Sequence, residues 1–165
     1  MDPRVQVAID RMKQYQDEPL EMYKRFLMIE LCDLAKSTLS YFATVSADEE
    51  SLTMIGWSGS AMMNCAVMDK PLFYKVQETG LWGDAIRERQ AVITNDYPNL
   101  VKATKKGCPQ GHVSVRRHMN LPIMEQGRVV LVVGVGNKVE KYTPEDAAII
   151  GDFMTKVWGV LKTKL

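Results

Sequence analysis

The run Val129-Val130-Leu131-Val132-Val133-Gly134-Val135 restricts the fold of this 165-residue chain more than any other segment. A strand that is apolar at nearly every position has no face to show to water. It has to lie centrally in a sheet, with chain covering both sides. Met119 to Met124 reads as its hairpin partner, joined through Glu125-Gln126-Gly127-Arg128, a turn containing glycine. Gly134 and Gly136 mark places where the backbone bends or something approaches closely.

One covering layer is helical. Val5, Ala8, Ile9, Met12 and Tyr15 form a single stripe, with Asp2 as N-cap ahead of Pro3. After Pro19 a second helix runs from about Leu20 to Leu39, with Tyr23, Leu27, Leu31, Leu34 and Ala35 on one face. Thr143-Pro144-Glu145-Asp146 opens a last helix: threonine as cap, proline in the first turn, then two acids. Its stripe is Ala147, Ile150, Phe153, Met154, Val157, Trp158 and Leu161.

Between these helices lie a second hairpin and an irregular middle. Tyr41 to Val45 and Leu52 to Trp57 read as paired strands. Ser58-Gly59-Ser60 is suited to cap a short helix through Met62, Met63 and Cys65. Phe73 to Val76 is a short strand or an extended link, Gly80 to Arg89 a helix, and Ala91 to Thr94 a short strand. Asn95 to Asn99 is turn chemistry, and Lys102 to Gly111 is a basic loop. The order is that of an α+β domain with an antiparallel sheet. Helices occupy residues 1–40, and a core with a C-terminal helix occupies 41–165, within a single domain. The terminal helices share one face, and the irregular segment from Ser58 to Arg117 covers the other.

Lys+Arg is 21 and Asp+Glu is 20, a formal net charge of +1, so no global basic excess drives binding to nucleic acid or anionic lipid. No apolar run approaches the roughly 20 residues of a membrane helix. The start, MDPRVQVAIDRMK, lacks the apolar centre of a secretory signal. Cys32, Cys65 and Cys108 are an odd number with no CxxC pair, which points to a reducing cytoplasm rather than a disulfide framework.

Several blocks then carry a resemblance. They are Gly80-Leu81-Trp82-Gly83-Asp84-Ala85-Ile86-Arg87, Val92-Ile93-Thr94-Asn95-Asp96-Tyr97, Lys106-Gly107-Cys108-Pro109-Gln110-Gly111-His112 and Arg117-His118-Met119-Asn120-Leu121-Pro122-Ile123. The last is Gly134-Val135-Gly136-Asn137-Lys138 with Tyr142, Glu145 and Asp146. In this order and spacing, over about Leu31 to Leu161, the chain resembles a GAF domain, the sensor module of bacterial histidine kinases, diguanylate cyclases and similar proteins. The resemblance implies a PAS-related antiparallel sheet of five or six strands, with helices on one face and a ligand pocket on the other. It also resembles cyclic-nucleotide-binding GAF domains in the set Asn137-Lys138, Tyr142 and Glu145-Asp146. The physical reading of that set is structural. Lys138 pairs with an acid in the first turn of the last helix, such as Asp146, and pins strand to helix.

Catalytic chemistry finds little support. GAF enzymes that reduce free methionine sulfoxide place cysteines in the Gly-rich helix start and after a Gly-His pair. Here those places hold Trp82 and Val113-Ser114-Val115. No Cys-His dipeptide exists to attach a bilin. Cys108, His112 and His118 lack a fourth zinc ligand at a recognised spacing, so no metal or haem is expected. No P-loop and no nucleophile elbow occurs. What remains is a binding set: Trp57, Trp82, Asp96, Tyr97, His112, Arg117 and His118. Aromatic walls with a few convergent polar groups suit a small organic ligand, and Arg116 or Arg117 could grip a carboxylate. Arg117 and His118 alternate along a strand, so one faces in and the other out.

The expected function is a cytoplasmic, small-molecule-sensing module of a two-component or related system. It would pass its ligand state through the terminal helices to a kinase or cyclase output, as a homodimer paired through those helices. The ligand is not named by the sequence. The alternatives are a structural dimerisation module with an empty pocket and a reductase-like GAF enzyme.

Overall fold

The structure, a computed structural model, describes residues 1–58, 72–106 and 114–165. The short helix expected through Met62, Met63 and Cys65 lies outside the described residues, as do Cys108 and His112. Helices α1 (Pro3–Lys13) and α2 (Leu20–Ala35) precede strands β1 (Leu39–Val45), β2 (Ser51–Trp57) and β3 (Phe73–Lys75). A 3-10 turn (Val76–Glu78), α3 (Leu81–Glu88), β4 (Val92–Thr94), β5 (His118–Glu125), β6 (Arg128–Gly136) and α4 (Pro144–Leu161) follow.

Six strands form one antiparallel sheet in the order β3-β2-β1-β6-β5-β4. The apolar strand β6 therefore sits between β1 and β5, and every residue from Val129 to Gly136 is buried. At the β5–β6 turn, Gln126 and Gly127 both have left-handed φ, 51° and 76°, as a two-residue hairpin of right-handed twist requires.

The second helix is shorter than its apolar pattern suggests. It stops at Ala35, and Lys36 turns left-handed with φ 49°. The Ser37 N–H then bonds the Cys32 carbonyl at 2.9 Å, and Ser37 Oγ donates to the Ala35 carbonyl at 3.0 Å. These local bonds satisfy the end of the helix and release Leu39 to begin β1.

α1, α2 and α4 cover one face of the sheet. Leu27, Leu31, Phe42, Leu131, Ile150 and Phe153 are fully buried there. The α1 stripe of Val5, Ala8 and Met12 is buried inside the chain, against α2 and α4. Val7, Met22 and Ile29 are the large apolar residues these helices leave outward, 50%, 39% and 51% exposed. Lys164 Nζ, just beyond α4, donates to the carbonyls of Gln16 and Glu18 and lies 5.1 Å from the Tyr23 ring centre.

A knot of polar side chains joins β6, α4 and the segment before β5. Thr143 and Asp146 form a reciprocal capping box. Lys138 Nζ meets the Asp146 carboxylate at 2.9 Å, with only 10% and 14% of the two side chains exposed. Tyr142 Oη lies 2.6 Å from Ser37 Oγ, and both backbone groups of Tyr142 bond the Asn95 side chain. Asn137, left-handed at φ 62°, accepts from Arg116 N and donates to the Ser114 carbonyl.

The opposite face carries α3 and the 3-10 turn. Ala43, Val45, Leu52, Met54, Val76, Ala85, Ile86, Val129 and Val132 form its apolar floor. Consecutive residues of β1 thus serve the two layers: Phe42 belongs to the helix-side core and Tyr41 to the other. Among the described residues, no helix is long and apolar enough to cross a membrane.

Candidate functional site

Beside this floor, a chain of side-chain contacts runs across the sheet from edge to edge. It begins at Tyr74 on β3, whose ring meets Trp82 of α3 edge-on at 5.0 Å. Trp82 is 5.5 Å from the ring of Tyr41 on β1. The Tyr41 hydroxyl donates to Asn120 Oδ1 on β5, reaching over β6. Gly134 permits the reach, because a Cβ at that position would collide with Cε1 and Cζ of the Tyr41 ring. Asn120 Nδ2 lies 3.2 Å from His118 Nδ1, and the His118 ring meets Tyr97 edge-on at 5.4 Å.

The electrostatics follow from the burial. Asn120 is 2% exposed, so both ends of its amide need partners, and they have them. Desolvation lowers the His118 pKa from 6.5 to about 4, which keeps the imidazole neutral. Desolvation also pushes the Tyr41 phenol well above its ordinary value. An amide N–H can only donate, so His118 Nδ1 accepts and the ring proton sits on Nε2.

A second cluster anchors the basic loop. Asp84, in the first turn of α3, is 2% exposed. Its carboxylate accepts from Thr104 Oγ1 at 2.5 Å and pairs with Arg87 at 2.7 Å and Lys102 at 2.9 Å. Burial raises its pKa, but hydrogen bonds from Thr104, Arg87 and Lys102 outweigh that and hold it below the ordinary carboxylate value. Lys105 Nζ donates to the Tyr97 carbonyl at 2.7 Å and stands 4.6 Å from the centre of the Tyr97 ring.

Of the residues singled out from sequence, Trp82, Tyr97 and His118 join the chain of contacts. Trp57 packs on the same layer, and it also lines a groove of about 420 Å³ with Pro19, Glu21, Met22, Lys24 and Arg25 of the α2 side. Asp96 is exposed and accepts from the Asn99 side chain. Arg117 directs Nη1 to the carbonyls of Val139 at 2.8 Å and Lys138 at 3.5 Å. His112 lies outside the described residues.

Local sequence patterns do not mark Tyr41, Asn120, Tyr74 and Asp84 as site residues. Tyr41 and Asn120 are far apart in sequence and meet only because β1 and β5 both flank β6. A tyrosine placed opposite Gly134 was the available signal. The described residues contain no group of three or more His, Cys, Asp or Glu placed to hold a metal ion. Cys32 sits in the α2 layer, with Sγ 3.3 Å from Ser40 Oγ, and burial raises its pKa.

Comparison with known proteins places these features in a family. A family model described as GAF domain matches residues 25–162. The methyl sulfide methyltransferase-associated sensor of Methanosarcina acetivorans is 39% identical over 157 residues, 95% of this chain. The chain spans 16% of that relative's length. The GAF domain of a phosphoenolpyruvate-protein phosphotransferase from Coxiella burnetii matches with a TM-score of 0.69 at 14% identity, over 98% of each chain. Residues 122 to 287 of a methyl-accepting chemotaxis protein match with 0.69 at 14% identity, over 94% of this chain and 97% of that one. A free methionine-R-sulfoxide reductase from Neisseria meningitidis, in complex with its substrate, matches with 0.66 at 13% identity, over 100% of this chain and 96% of that one. At such identities the structural likeness is one of fold.

Proposed function

The chain belongs to the GAF domain family, and from that premise we propose that it is a small-molecule-sensing module of a signal-transduction protein. Its 39% identity to a sensor supports the sensory role. The observation that carries ligand binding is a contrast between the two sides of the sheet. On the helix side Tyr23, Phe42 and Phe153 are almost fully buried, and the partly buried rings have partners: Tyr15 stacks on Phe26 and the Trp158 indole donates to Glu125. On the other side Tyr41, Trp57, Tyr74, Trp82, Tyr97 and His118 are each only partly buried. Half-covered aromatic rings around a few polar groups suit a small organic ligand.

On this reading the ligand sits against the inner face of the sheet, and β1 carries its effect to α2. The output is a kinase- or cyclase-type region reached through the terminal helices. No reaction is assigned to the chain.

Native mass spectrometry and absorbance of freshly purified protein test the proposal. A thermal-shift screen of amino acids, purines, cyclic nucleotides and organic acids completes it. The expected result is a retained small molecule, or a compound that raises the melting temperature. A hundredfold excess over Kd stabilises by about 2.7 kcal/mol. No retained molecule and no shift would leave the structural dimerisation module as the better reading.

A further inference from the structure

We infer that His118 is the ligand-recognising donor of this face: it offers Nε2–H to a hydrogen-bond acceptor on the ligand, and the site therefore takes planar molecules bearing a carbonyl or carboxylate oxygen. The inference rests on the sensor reading and names the chemistry of its ligand.

The polarity follows from the orientation of the Asn120 amide. The amide presents Oδ1 to the Tyr41 hydroxyl, which donates to it, and Nδ2 to His118 Nδ1. Nδ1 then accepts, and the proton of the neutral ring is on Nε2. Nε2 has no hydrogen-bond partner among the described residues, while the ring is only partly buried. A donor held in one tautomer on a half-covered face asks for an acceptor.

The surrounding charge agrees. Lys105 stands over Tyr97, and the Tyr97 ring meets His118 edge-on. The buried carboxylate on this side, Asp84, is already paired with Arg87 and Lys102. Among the described residues a cationic ligand would find no unpaired buried acid here, since Asp96 is exposed at the rim, and a donor-only ligand would meet a donor. Trp82 and Tyr74 add flat walls along the same line of contacts.

The test uses the full chain labelled with ¹⁵N and three matched probes at millimolar concentration: benzoate, benzamide and benzamidinium. In the free protein, the His118 nitrogen shifts should show a neutral ring protonated at Nε2. Protonation at Nδ1 overturns the inference without any ligand. Benzoate and benzamide should move the Nε2–H resonance and raise the melting temperature, and benzamidinium should do neither. His118→Leu should weaken benzoate by about tenfold, the equivalent of one hydrogen bond, and His118→Gln should restore most of it. Binding of benzamidinium as tight as benzoate overturns the inference and leaves the sensor reading standing. Failure of all three probes also overturns it, and the sensor reading is then decided separately by the retained molecule in native mass spectrometry.

Discussion

The ring of Tyr41 lies over Gly134 on the neighbouring strand, in space that any side chain at position 134 would fill. Gly134→Ala should therefore push Tyr41 aside and part its hydroxyl from Asn120. Overpacking of this kind costs about 1–3 kcal/mol. A urea melt of the variant should show that loss. An unchanged midpoint would mean that the ring has another resting place.

Tyr41→Phe isolates the hydrogen bond from the packing. Asn120 Oδ1 would stay buried and lose its donor, at a cost of about 1–3 kcal/mol. The same variant frees the Asn120 amide to turn over. The His118 tautomer should then become mixed in ¹⁵N spectra.

Lys138→Met should cost stability rather than ligand affinity. The Lys138–Asp146 pair is largely buried, and removal of one partner leaves a charge without compensation, at about 3–5 kcal/mol. The loss should fall toward the low end, because Thr143 N still bonds Asp146. Asn137→Ala should behave alike, since its side chain ties residues 114 and 116 to the end of β6. Lost probe binding with an unchanged melting temperature would contradict both.

His118 should make the fold acid-sensitive in a defined window. Its folded pKa of about 4 lies below the ordinary 6.5, so the unfolded chain takes up the proton first. Stability from this group is complete above pH 6.5 and declines as pH falls toward 4, by up to about 3 kcal/mol. Melts of wild type and His118→Gln across that range should converge in shape only if another group is responsible.

Asp84→Asn should loosen the basic loop while the sheet stays intact. The Lys102 ion pair is lost and the Arg87 pair weakened, while the amide can still accept from Thr104. Hydrogen exchange should speed up in residues 102–106 and remain slow in β5 and β6. Equal acceleration everywhere would assign Asp84 to global stability instead.

Much of this architecture could be read from periodicity. The apolar run at β6 demanded a central strand with two cover layers, and the Thr143-Pro144 start fixed the last helix to the residue. The end of α2 was misplaced because Leu39 continues the apolar pattern, and pattern alone does not register the left-handed Lys36. The stripe of α1 was legible as a buried face, but its destination was not. Amphipathicity records that a surface is covered and is silent on which helix covers it. The site was legible in part. Trp82, Tyr97 and His118 stand in local patterns, whereas the Tyr41–Asn120 bond depends on strand order.

Tyr41 and Phe42 are joined by one peptide bond and point into opposite layers. They form a rocker whose fulcrum is the backbone of β1. A twist of the strand that lifts the tyrosine from its resting place must press the phenylalanine into, or draw it out of, the closed core beneath α2. Because that core has no slack, a shift of a fraction of an ångström on the open side becomes a change in helix seating on the closed one.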